Sequence, residues 1–102
     1  MGQYVAPIRD MQFVLHEFLN VSEEFKNLPA YQEIDADIIN QVLAEGAKFT
    51  QEVLFPLNHS GDREGCHYDA ATKSVTTPKG FKEAYKQYVE GGWAALACDP
   101  EY

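Results

Sequence analysis

Hydrophobic positions along this 102-residue chain recur at helical rather than strand spacing. Met11, Val14, Leu15 and Phe18 fall at i, i+3, i+4 and i+7, which places them on one stripe of a helix of about three turns beginning near Arg9 or Asp10. Pro7 marks the entry. Ser22, followed by Glu23 and Glu24, reads as an N-cap with acids in the first turn of a short helix that Leu28-Pro29 ends. The clearest pattern is "DADIINQVLAEGAKFTQEVLFP", where Ile38, Ile39, Val42, Leu43, Gly46, Phe49 and Val53 trace one face of a long helix over 35–55. Asp35 is its expected N-cap and Asp37 complements the positive end of the dipole. Pro56 is expected to stop it, because the residue before a proline is pushed out of the α region. Gly46 on the apolar stripe suggests a close helix crossing.

From about 57 to 77 the periodicity disappears into "LNHSGDREGCHYDAATKSVTT", rich in Gly, Asp, Ser and Thr. A long irregular loop is expected there, with a short hairpin that sets "HYD" beside "SVTT". The last helix, over 78–90, carries Thr77 as N-cap, Pro78 at its first position and Gly91 just past its end. Phe81, Ala84, Tyr85, Tyr88 and Val89 form its apolar face, and two phenols among the five point to a partly wet surface. The fold class is therefore all-α, a small bundle of three to four helices. At 102 residues, one domain is the economical expectation.

Composition narrows the function. The 45% hydrophobic and 13% aromatic content is that of a folding chain, and the net charge of −8 disfavours nucleic acid and anionic membrane as partners. No apolar run approaches a membrane span, and "MGQYVAPIRD" has no signal-peptide pattern. Met1-Gly2 resembles the start of a myristoylation signal, but Ala6 stands where that signal carries Ser or Thr. A cytoplasmic location follows, and Cys66 and Cys98 are expected to be free thiols.

The candidate chemistry is thin. His59, Cys66 and His67 share one stretch, yet three ligands at this spacing match no zinc pattern unless Asp62, Glu64 or Asp69 joins them. "GDREG" at 61–65 lacks the alternating ligands of a calcium loop. Cys66 beside His67 has no third group to orient a nucleophile and base. Glu23-Glu24 and Glu33, Asp35 and Asp37 read as helix-start complements on a solvated face. No glycine-rich strand-to-helix loop offers a phosphate cradle. No catalytic, cofactor-binding or metal residue is assigned.

Three separated stretches nevertheless resemble a long bacterial subgroup of the acyl-CoA dehydrogenases. "YVAPIRDMQFVLHEFL" (4–19) is similar to that subgroup's N-terminal extension, with Tyr4, Ala6, Pro7, Arg9, Asp10, Met11, Phe13, Val14 and Leu15 in pattern and Ile8 in place of Leu. "EVLFPLNHSGDREGC" (52–66) resembles its helix end and Pro-Leu-Asn-x-x-Gly-Asp turn, and "TTPKGFKEAYKQYVEGGW" (76–93) its following helix. The resemblance implies a partial N-terminal helical domain, with 1–30 as the extension. The parent enzyme would use FAD to oxidise an acyl-CoA to the 2,3-enoyl-CoA, a glutamate taking the α proton and the flavin the β hydride. The family's flavin contacts and catalytic glutamate lie in later domains, so this chain alone is expected to be an inactive scaffold.

Family members continue beyond a segment like Asp99-Pro100-Glu101-Tyr102, so the sequence is expected to be a leading fragment. Its partners would be the remaining domains, with acyl-CoA a ligand of the parent only. A fragment exposes faces that missing helices would cover, and Tyr85, Tyr88, Trp93 and Leu96 are the expected contacts of a homodimer or higher oligomer. The competing expectation is a standalone acidic helical module that binds a partner through its aromatic face.

Overall fold

The computed structural model describes residues 2–101, which are mainly helical, and the chain divides into two compact units, Met1–Glu52 and Val53–Tyr102. Tyr102, at the end of the tail, and Met1, of the Met1-Gly2 pair, lie outside the described residues.

In the first unit, α1 (Ile8–Gln12) passes into a π-helical segment, Phe13–Phe18. The helix thus starts slightly earlier than its stripe indicates. Its second half is wound more widely, and the Leu19 N–H reaches back five residues to the Val14 carbonyl at 2.8 Å. Helix α2 (Val21–Phe25) begins differently from expectation. Asn20, at φ 50° and ψ 51°, precedes it in the left-handed region, and Ser22 lies inside the first turn instead of capping it. Asparagine is one of the few residues that tolerate that conformation, so the chain turns before the serine can cap. A 3-10 turn at Pro29–Tyr31 follows, where Tyr31 packs its ring 5.4 Å from that of Phe25.

Helix α3 (Ala36–Phe49) begins as its sequence dictates: the Asp35 carboxylate accepts the Ile38 N–H at 2.9 Å, and Asp37 sits in the first turn. The long helix does not stop at Pro56. A π-helical segment, Thr50–Leu54, follows α3, and α4 (Phe55–Glu64) carries Pro56 in its first turn. Widened winding opens a register change, and a proline in a first turn gives up only an N–H that would lack a partner anyway. The Thr50 hydroxyl donates to the carbonyls of Gly46 and Ala47, at 3.0 and 2.9 Å, just where the winding changes.

In the second unit, helix therefore occupies the first part of the stretch expected to be irregular over 57–77. Its apolar periodicity is hidden because one of its inward positions is a glycine, Gly61, which is buried against the ring of Phe81. Gly65, at φ 66°, ends α4. The expected hairpin is present: β1 (His67–Asp69) and β2 (Ser74–Thr76) pair antiparallel with His67 opposite Thr76, Tyr68 opposite Val75 and Asp69 opposite Ser74. The Asp69 carboxylate accepts the Ala71 N–H at 2.9 Å and organises the turn.

Helix α5 (Phe81–Glu90) starts three residues after Pro78, with Gly80 in the left-handed region at φ 90° as its N-cap, not Thr77. The Glu64 carboxylate accepts the Lys79 N–H at 2.6 Å and ties the end of α4 to this entry. Gly91 ends α5 as expected, and a 3-10 turn, Trp93–Ala95, leads into the tail.

Candidate functional site

An apolar groove is present in each unit among the described residues. In the second, Leu54 and Leu57, with Asn58 beside them, face Phe81, Ala84, Tyr85 and Tyr88 of α5 across about 310 Å³. Its floor is Ala84, only 4% exposed and the one buried hydrophobic side chain among the described residues. Gly61 and Gly80 leave room for the Phe81 ring and the Leu57 side chain, which an added Cβ at either glycine would meet. Tyr85 and Tyr88 stack along the rim with centroids 6.3 Å apart.

Of the four residues expected at an oligomer contact, Tyr85 and Leu96 are well exposed, at 69% and 62%, and Tyr88 less so, at 36%. Trp93 is half-buried, its indole packing near Gly91. Tyr85 and Tyr88 share the groove on α5, while Trp93 and Leu96 belong to the turn after it.

The first unit has a groove of about 430 Å³ lined by Asp10, Met11, Val14, Leu15 and Leu43. Three of the four residues in the predicted first stripe line it. Phe18 instead stands 74% exposed at the end of the π-helical segment.

A polar trio joins the same two helical elements, and no sequence pattern pointed to it. His16 Nε2 lies 2.7 Å from Asn40 Oδ1, which also accepts the Gln12 amide at 3.4 Å. With Nε2 donating, Nδ1 is left as a buried atom with no partner. The only available signal was Gln12 and His16 at i, i+4 on the flank of an apolar stripe. Replacing Asn40 with leucine should strip the imidazole of its remaining partner and destabilise the first unit by about 1–3 kcal/mol, measured by urea unfolding. Unchanged stability would show that the trio is not holding α1 to α3.

The residues weighed for metal binding are spread out: His59 lies in α4, Cys66 after it and His67 in β1, all exposed. Among the described residues, no group of three or more His, Cys, Asp or Glu side chains converges to hold a metal ion. Both cysteines are free and exposed. No described helix is long and apolar enough to cross a membrane.

Relatives carry further functional information. Over 99 residues, 97% of its length, the chain is 35% identical to 3-methylmercaptopropionyl-CoA dehydrogenase of Ruegeria pomeroyi. The chain matches a segment of the acyl-CoA dehydrogenases. Two butyryl-CoA dehydrogenases of Syntrophomonas wolfei match at 32% and 29% identity over 87% and 89% of the chain. No family model matches the chain. The chain spans only 15–16% of the length of these dehydrogenases, consistent with a fragment of a larger enzyme. The stretches that carry the dehydrogenase resemblance form α1 with its π-helical segment, the region around α4, and α5, so they supply the whole lining of the second groove and all of the first except Leu43.

Proposed function

We propose that this chain is the N-terminal helical part of a cytoplasmic, FAD-dependent enzyme that oxidises an acyl-CoA to the 2,3-enoyl-CoA, and that it serves as scaffold without catalytic residues. The observation that carries the reading is surface. A compact monomer of 11.5 kDa exposes about 5,800 Å², and two separate compact halves would together expose about 7,000 Å², whereas this chain exposes 8255 Å². The excess is rich in side chains a complete enzyme would bury: Val5, Phe18, Tyr85 and Leu96 are each more than 60% exposed. The natural cover is the parent enzyme's own polypeptide beyond this segment, a reading supported by the 15–16% of each dehydrogenase relative that the chain spans.

FAD fits neither groove. Its pyrophosphate is anionic and needs cations or converging N–H groups. The lining here is apolar except for Asp10 in one groove and Asn58 with two phenols in the other. The flavin and acyl-CoA sites are accordingly assigned to the rest of the parent. Without that cover, the chain self-associates through Tyr85, Tyr88, Trp93 and Leu96, as a homodimer or higher oligomer.

Sequencing the gene across codon 102 tests the reading directly. The frame should run on for several hundred codons, and its full-length product should purify yellow with FAD and oxidise an acyl-CoA, while residues 1–102 alone remain colourless. A stop directly after Tyr102 would overturn the proposal and leave the standalone interaction module.

A further inference from the structure

We infer that the groove of the first unit seats a basic amphipathic helix contributed by the polypeptide that completes the enzyme. Two helical elements form its walls, with Met11, Val14 and Leu15 on one side and Leu43 of α3 on the other. A trough of this kind takes apolar side chains at i, i+3, i+4 and i+7 of a third helix. Its apolar lining is left wet: Met11 and Val14 are 38% and 44% exposed, and methionine adapts to an incoming surface better than a stiff side chain does.

Charge selects the helix. Residues 1–52 hold nine acids (Asp10, Glu17, Glu23, Glu24, Glu33, Asp35, Asp37, Glu45 and Glu52) against three bases, a balance of −6 out of the chain's −8. Two of the three bases are already engaged, Arg9 with Glu17 at 2.7 Å and Lys26 with Glu23 at 2.8 Å. The charged residue in the groove lining is Asp10. A second copy of this acidic surface would be repelled, whereas a helix with lysines or arginines flanking its apolar stripe gains from both terms.

The inference rests on the proposed function for the source of the helix, but not for its chemistry. A reading frame that stopped after Tyr102 would remove the source, while a peptide titration tests the groove itself. The probe is an 18-residue leucine/lysine peptide with leucines at helical i, i+3, i+4, i+7 spacing, compared with a leucine/glutamate peptide of identical leucine positions. The leucine/lysine peptide should bind the chain and shift the resonances of Met11, Val14 and Leu43. The doubly substituted Met11→Gln/Val14→Gln chain, altered only at partly exposed positions that tolerate polar groups, should bind at least about tenfold more weakly, a loss of about 1.4 kcal/mol. Gln87→Ala, on the exposed surface of α5 in the other unit and without change of charge, should bind as the parent chain does. Equal binding of the two peptides, no binding of either, or an affinity unaffected by the double substitution would each overturn the inference.

Discussion

Gly80→Ala should destabilise the second unit by about 2–3 kcal/mol, in two separable parts. The first is conformational: at φ 90° an L side chain is strained by about 1–2 kcal/mol. The second is steric, because the new Cβ would stand 2.7 Å from Leu57 Cδ2, the far end of a flexible side chain that must shift in the groove, which puts the cost at the low end of overpacking, about 1 kcal/mol. Gly92 provides the internal control. Its φ is 80° and no atom outside its immediate neighbours lies within 4 Å of its Cβ position, so Gly92→Ala should show the conformational part alone. Chemical denaturation of both variants, and of Gly80→Ala made in a Leu57→Ala background, separates the terms. If Gly80→Ala costs no more than Gly92→Ala, Leu57 does not constrain the entry to α5. If neither variant differs from the parent chain, the left-handed geometry assigned to both glycines is wrong.

The second large effect concerns surface rather than a single residue. The isolated chain should enhance the fluorescence of a hydrophobic dye severalfold, and that enhancement should vanish when the same residues form part of the complete enzyme. Its denaturant m-value should also be smaller than that of a compact 102-residue domain, because m follows the area newly exposed on unfolding and much of that area is exposed beforehand. The physical argument is the shortage of interior: 45% of residues are hydrophobic, yet among the described residues Ala84 alone is buried in that class. An isolated chain with an ordinary m-value and no dye response would mean that it covers its own apolar faces, through self-association if the values vary with concentration. A concentration-independent result of that kind, from a monomer in sedimentation, would count against the need for further polypeptide.

The two grooves differ in ways that bear on assembly. The first joins a one-sided negative charge to an aliphatic lining, whereas residues 53–102 carry seven acids against five bases and present stacked tyrosines. Self-association meets less repulsion through the second surface, where the expected contacts Tyr85 and Tyr88 lie. A helix of opposite charge is better suited to the first.

Much of the fold follows from the sequence because its signals are local. The Asp35 cap, the α3 face and the Gly91 stop each depend on a few neighbouring residues, as does the "HYD"/"SVT" pairing across a turn held by Asp69. The family relationship was also legible, since three stretches in order carry it. Tertiary structure decided what local rules leave open. Pro56 was tolerated because π-helical winding over Thr50–Leu54 placed it in a first turn, and α4 escaped its periodicity because Gly61 contributes space for Phe81 rather than a hydrophobic side chain. Packing likewise brought Gln12 and His16 to Asn40, and Leu43 beside Met11, Val14 and Leu15: contacts across 24 or more residues leave no local pattern to read.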